Sequence, residues 1–311
     1  MKKFAWILPV SAGILWGSIG VFIRTLDNYG MDSFTVVESR VSMALLLLLA
    51  GIGIYDRKQL KVRLKDLWIL ALAGIAGMFG LNVTYNEAIN HLPLSLAAVL
   101  LSLSPVFVLI LAAVFFKEKI TARKAGCAVL AILGCTLASG LLESLTGLEL
   151  SPVGIVMGVA SGIFYALYSI FTKSAMKRGY SGLTITFYCM LAVGIILAPL
   201  SDWGQIFSFY REAPAANTGF MILHALCGSV LPYVLYTVAI QFMDAGKVSI
   251  LAAGEPVAAM VFGMIFFREI PTPLEFLGLA VTVAAIVLLG MPEKRKDRKA
   301  PVGKPVRLNK G

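Results

Sequence analysis

Apolar residues run along this chain in blocks of about twenty, separated by short stretches that hold most of its charges. A helix needs about 20 mostly apolar residues to cross a bilayer. The breaks in hydropathy divide the chain into ten such runs, over residues 5–25, 34–54, 67–87, 94–116, 123–142, 152–172, 183–203, 217–239, 246–267 and 273–291. Strands of a membrane barrel would instead alternate in short segments, and that pattern is missing. The expected fold class is an all-α integral membrane protein with ten transmembrane helices.

The pattern also repeats. Tyr85–Glu118 overlays Tyr236–Glu269 at a constant offset of 151 residues, without a gap and with 9 of 34 positions identical. The identities include Pro105-Val106 against Pro256-Val257, and Phe115-Phe116-Lys117-Glu118 stands against Phe266-Phe267-Arg268-Glu269. Shared apolar composition does not bring Pro, Tyr and Glu into register. A weaker match joins Trp16–Arg24 to Tyr165–Lys173 at an offset of 149. Five helices per unit is an odd number, so the second unit enters the membrane in the opposite sense. The expectation is two inverted five-helix repeats about a shared central site, one over 1–145 and one over 146–291, followed by a basic, disordered cytoplasmic tail over 292–311.

Composition agrees with the membrane reading. Hydrophobic residues make up 59% and charged residues 14%, against about 25% charged in soluble domains. The net charge of +10 would suit nucleic acid, but it is spread over loops on one side. With the N-terminus in the cytoplasm, the cytoplasmic pieces hold 23 of the 27 Lys and Arg residues. That bias places both termini in the cytoplasm and makes the basic residues topology signals and lipid contacts. Lys2, Lys3 and the apolar run after them mimic a signal peptide, but hydrophobicity continues to Ile23, as in an uncleaved first helix. Cys127, Cys135, Cys189 and Cys227 lie inside spans at no metal-like spacing, so neither a metal nor an organic cofactor is expected. Glycines at 13 and 17, at 74, 77 and 80, and at 154, 158 and 162 suit close helix packing.

The polar residues inside the spans carry the candidate chemistry, because a central charge costs about 2.5–3.5 kcal/mol on insertion scales. Glu38, Arg40 and Glu255 are the ionisable ones deep in spans, with His224 nearer an end. Glu255 precedes Pro256, which frees the carbonyl of Ala252; Pro105 does the same at the equivalent place in the fourth helix. Two kinked helices therefore meet near the midplane, where Glu255 is placed to carry a proton or meet an amine. Its alternative is a carboxyl satisfied permanently by neighbouring groups. Arg40 either holds a substrate carboxylate or, the favoured reading, plays a structural or gating part. Glu38, two residues away, lies on another face of the helix and reaches toward the interface. Asn82, Tyr85 and Asn86 share one face of the third helix; Tyr233, Tyr236 and Thr237 share the matching face of the eighth. Tyr165, Tyr168, Ser169 and Thr172 follow similar spacing in the sixth, and Trp16 stands in the first. These groups suit a zwitterionic or aromatic metabolite through stacking, cation–π contact and hydrogen bonds, or else serve as glue between helices. The short connections near His91-Leu92-Pro93 and Asp244-Ala245-Gly246 form hairpin tips able to close one end of a cavity.

Trp16-Gly17, Arg40, the stretch Asn82–Tyr85–Ala88, Pro105-Val106-Phe107 with Phe116-Lys117-Glu118, and their echo in Glu255-Pro256-Val257 and Arg268-Glu269 resemble the EamA branch of the drug/metabolite transporter superfamily. The resemblance covers about residues 5–291. It implies a bacterial inner-membrane carrier with a central cavity, often an exporter of amino acids or related metabolites. Site residues expected on all these grounds are Trp16, Asn82, Tyr85, Tyr168, Tyr236 and Glu255 for substrate, with Glu255, Arg40, Pro105 and Pro256 for coupling or gating. The partners are a small-molecule substrate, protons as a coupling ion and membrane lipids. Proton-coupled efflux of cationic amphiphiles and a passive channel are the alternatives. A membrane enzyme is disfavoured, because neither a Walker A sequence nor a HExxH motif is present.

Overall fold

The computed structural model describes residues 4–92, 94–143 and 151–291. Pro93, the boundary between the two expected repeats and the basic tail lie outside them. The described residues form helices and no strand. We number the long helices α1 (Ile7–Asp27), α2 (Ser33–Tyr55), α3 (Leu64–His91), α4 (Leu94–Leu101 continued by Ser104–Phe116), α5 (Ala122–Ala138), α6 (Pro152–Lys177), α7 (Gly182–Leu200), α8 (Pro214–Phe242), α9 (Ala245–Ala252 continued by Glu255–Phe267) and α10 (Pro273–Gly290). A further helix, Trp203–Glu212, joins α7 to α8.

Nine of these are long and apolar enough to cross a membrane. The exception is α5, whose 17 residues reach about 26 Å at 1.5 Å per residue against a hydrocarbon core of about 30 Å. Its sequence run extends to residue 142, but the helix stops before Gly140, which sits at φ 68°. Local chemistry sets most starts. Asp32, Thr121, Ser151 and Ser181 each accept a backbone N–H three residues on, and Thr272 with Glu275 completes a capping box. Each meets helix N–H groups that have no partner within the helix.

The duplication extends to irregularities of the backbone. Both α4 and α9 are broken at the same place, after Leu101 and after Ala252, and resume at Ser104 and Glu255, 151 residues apart. Wide π turns occur in α3 at Ala73–Phe79 and in α8 at Leu226–Val230. Among the described residues, the non-glycine residues with left-handed backbone are Lys117 (φ 56°) and Arg268 (φ 55°), again 151 apart, at the ends of α4 and α9. Packing repeats likewise. α1 packs on α8 and α9 as α6 packs on α3 and α4, while α2–α7, α4–α9 and α5–α10 are pairings between equivalent helices. A two-fold relation between the halves requires this pattern.

The α5–α10 pairing is close because side chains are missing from it. A Cβ on Gly278 would lie 2.3 Å from the backbone nitrogen of Ala138, and one on Gly134 would lie 2.7 Å from that of Thr282. At the end of the molecule that holds Glu118, Asp66 ties α3 to α6. It pairs with Arg178, accepts from Tyr180 at 2.7 Å, and meets Arg63 at 2.7 Å.

Gly278→Ala should therefore lower the melting temperature of the purified protein, by the equivalent of about 1–3 kcal/mol of overpacking. Gly126→Ala, also in α5 but with open space around it, should leave the melting temperature unchanged or raise it. Differential scanning fluorimetry of the two variants checks the contrast.

Candidate functional site

The edges of the two helix breaks, at Leu101 and Glu255, border a cavity of about 680 Å³. Backbone that leaves the helical ladder inside a membrane is tolerated where protein or a water-filled cavity surrounds it, so the breaks mark the place where polar chemistry is available. A second, smaller cavity of about 70 Å³ adjoins it, lined by Ser102, Ser104 and Pro105 of α4 and by Ser249, Glu255 and Pro256 of α9.

Glu255 begins the second segment of α9. Residues Ala253 and Gly254 leave the helix with ψ near zero, and the chain re-enters with Pro256 in its first turn, a position that suits a residue without an N–H. The sequence reading of a kink in one helix becomes two half-helices. The carboxylate of Glu255 consequently sits at a helix N-terminus, where the peptide dipoles favour negative charge. α1 approaches this point because residue 17 is glycine: a Cβ there would meet the Glu255 carbonyl oxygen at 2.7 Å.

Arg40 lines the same cavity from α2. It is 7% exposed, its Nε has no hydrogen-bond partner among the described residues, and it is near enough to Glu255 to interact electrostatically. Its stem passes over Gly228 in the π turn of α8, where a Cβ would lie 3.0 Å from Cδ of Arg40. A guanidinium on α2 and a carboxyl group on α9 thus share one cavity without a direct ion pair.

Aromatic rings form the wall between them. Trp16 stands edge-on to Tyr233 at 5.2 Å between centroids and to Tyr165 at 6.3 Å, and Tyr168 stands edge-on to Tyr233 at 5.4 Å. The indole Nε1 of Trp16 is buried without a partner among the described residues, while the Tyr168 hydroxyl is joined to Thr237 Oγ1 at 3.1 Å. Asn82 lines the cavity with its amide donating to the Met78 carbonyl at 2.7 Å, one turn back in α3. Tyr85 lies at the junction of the two cavities.

The cavity lining therefore contains Trp16, Arg40, Asn82, Tyr85, Tyr168 and Glu255, with Pro105 and Pro256 on the adjoining space. Tyr236 is placed differently. It is fully buried one layer behind the wall, its ring tilted against Trp16 at 5.6 Å between centroids, and its hydroxyl bonded to Ser169 Oγ at 2.7 Å. Its helical face points at the site, but neighbouring rings cover it. Glu38, expected near the interface, is instead 2% exposed and accepts the Ser42 hydroxyl at 2.7 Å, because the face it occupies is covered by α7 at Gly194. His224 is buried against Phe22, the rings parallel at 4.8 Å, and stays off the cavity wall. Tyr165 and Tyr233 are wall residues that the spacing put on the right faces without distinguishing them from Tyr168 and Tyr236. The mouth, with Arg24, Asp27, Ser33 and Glu269, was hidden in sequence except for Glu269, which ends the repeated Phe-Phe-basic-Glu motif.

A model of the EamA-like transporter family matches residues 3–140 and again 152–291. A protein of Streptantibioticus cattleyicolor described as a probable terminal-alkyne amino-acid exporter is 28% identical over 96% of this chain and 97% of its own length. An uncharacterized transporter of Archaeoglobus fulgidus is 26% identical over 90% and 93%. The uncharacterized inner membrane transporter YicL of Salmonella typhimurium is 25% identical over 93% and 96%. A protein of solved crystal structure shares the fold with a TM-score of 0.73 over 93% of this chain and 96% of its own, at 16% identity.

Because Tyr236 packs behind the wall, Tyr236→Phe should act on stability. Losing its bond to Ser169 should cost about 1 kcal/mol, read as a lower melting temperature. Tyr85→Phe, whose side chain borders both cavities, should leave the melting temperature within error.

Proposed function

The chain belongs to the EamA-like transporter family, and on that premise we propose that it is a secondary carrier exporting amino acids or related small metabolites by alternating access. In this reading α5 completes a set of ten spans, residues 1–145 and 146–291 form two repeats of opposite membrane orientation, and both termini lie in the cytoplasm at the inner membrane. The short α5, 17 residues long, spans where the bilayer thins locally around it. The basic loops then face anionic lipid.

The observation that carries the proposal is a cavity with the Arg40 guanidinium and the Glu255 carboxyl on separate walls and aromatic rings between them. An α-amino acid has the complementary arrangement: its ammonium meets Glu255 and an aromatic face, and its carboxylate meets Arg40. The rest of the wall is largely apolar, with Ile19, Val36, Leu81 and Phe262, and accepts an apolar or aromatic side chain. The name of the Streptantibioticus cattleyicolor relative, a probable amino-acid exporter, points the same way. The cavity lining reaches Arg24, Asp27 and Glu269 at one end and, among the described residues, includes none of Glu118, Lys173 or Asp244 at the other. Such a one-ended site is what a carrier requires and what a continuous channel lacks.

Glu255 is the candidate coupling residue, since it alternates between meeting an amine and carrying a proton. Purified protein in liposomes should show saturable counterflow of an apolar or aromatic amino acid. A pH gradient should drive accumulation, and Glu255→Gln should abolish that driven component while Arg40→Gln raises the apparent KM roughly tenfold or more, the loss of a charge-assisted contact. Counterflow of cationic amphiphiles in place of amino acids, unaffected by Arg40→Gln, would replace the amino-acid reading with amphiphile efflux. Flux that neither saturates nor exchanges label would replace it with a passive channel.

A further inference from the structure

The end of the molecule opposite the mouth is closed by an ion pair, and the repeat places a matching pair at the mouth. Glu118, at the end of α4, pairs with Lys173 of α6, and Glu269, at the end of α9, pairs with Arg24 of α1 at 2.5 Å. Glu118 and Glu269 are 151 residues apart; Lys173 and Arg24 are related by the 149-residue offset of the weaker match. The surroundings correspond too. Lys173 Nζ lies 5.3 Å from the centre of the Phe116 ring, and Arg24 Cζ lies 4.4 Å from that of Phe267, its counterpart. Each glutamate follows one of the two described non-glycine residues with left-handed backbone, and its own N–H returns to the helix at 3.3 Å, to Ala112 in one half and Gly263 in the other. A non-glycine residue in that conformation is a cost. Paying it at both equivalent places turns each glutamate back toward the bundle.

The two pairs differ in burial. The Lys173 and Glu118 side chains are 14% and 8% exposed, whereas those of Arg24 and Glu269 are 52% and 48% exposed. They also differ in what the glutamate does next. Glu118 Oε1 accepts the N–H of Ala245, the first residue of α9, at 3.1 Å, so a single carboxylate joins the end of α4 to α6 and to the N-terminus of α9, where the helix dipole favours it. The counterpart of Ala245 is Leu94, the first residue of α4. The closed end has a further tie, Lys124 to Asp244 at 2.5 Å; the counterpart of Lys124 is Glu275, which is engaged in the Thr272 capping box.

We propose that the two ion pairs are positioning elements of two reciprocal gates, and that they exchange burial when the carrier switches. As the mouth closes, the Arg24–Glu269 pair is buried and Glu269 takes the N-terminal amide of α4 at Leu94, while Glu118 releases Ala245 and the Lys173–Glu118 pair becomes exposed. The proposal rests on the alternating-access reading given above. It adds which contacts hold each end and that they work in opposition.

Hydrogen–deuterium exchange of the full chain in lipid nanodiscs tests it. Glu118→Gln should speed exchange over residues 117–122 and 244–248 and, at the far end, slow it over 22–30 and 267–272. Shifts of roughly two- to fivefold are expected, the range that a single ion pair gives. Glu269→Gln should reverse both signs. Should Glu118→Gln fail to fold, Lys173→Gln removes the same pair from its other side and must move the same two regions in the same directions. Opposite movement at the two ends supports the gates. Changes confined to the mutated end, or of one sign at both ends, overturn them. Counterflow by the unaltered protein separates the two readings: counterflow without reciprocal exchange removes the gates alone, and its absence removes the carrier reading.

Discussion

The need to satisfy every backbone polar group without water shapes this molecule more than any single contact. Within a bilayer an unpaired N–H or carbonyl costs several kcal/mol, so a chain this apolar has to be helical nearly throughout. Apart from the break of α1 at Ser18, the described spans depart from the α-helix at the breaks of α4 and α9 and the π turns of α3 and α8. All four are arranged in equivalent pairs, and both breaks border the cavities. The irregular backbone is therefore concentrated where a solute can be received, and the regular helix faces lipid.

Around that frame the charges are handled in two ways. At the closed end they are paired, with Asp66 joined to Arg178 and Arg63, Lys124 to Asp244 and Glu118 to Lys173. Within the cavity Arg40 and Glu255 stay apart, and the partnerless Nε of Arg40 and Nε1 of Trp16 retain hydrogen-bonding capacity. Buried polar groups are ordinarily satisfied, and the proposed carrier would use these two beside its cavity to meet a ligand. The tyrosines behave differently again: Tyr168 and Tyr236 are bonded to Thr237 and Ser169 and brace the wall.

Symmetry explains the architecture, and its violations explain the conformation. Helix pairings, breaks, π turns and left-handed helix ends all obey the duplication. The ion pairs obey it in position but not in burial. Further asymmetry separates α1, which breaks at Ser18, from the continuous α6. Two halves that are alike in sequence but occupy different environments are what the proposed alternation between two states would require.

The sequence by itself determined the all-helical membrane class, the duplication and the two proline sites, because hydrophobic length and residue register are properties of the chain alone. It also put Trp16, Arg40, Asn82, Tyr85, Tyr168 and Glu255 on inward faces. It could not rank residues that share a face: Tyr236 and Tyr233 are three apart on one side of α8, and the placement of Trp16 and Tyr165 decides which one meets the cavity. Nor could it bury Glu38, since that depends on α7 lying across α2, or pair Arg24 with Glu269, 245 residues away. The length of α5 was likewise settled by the turn at Gly140 and not by hydropathy. Periodicity specifies direction from a helix axis, whereas burial and pairing depend on what stands opposite, and only the tertiary structure supplies that.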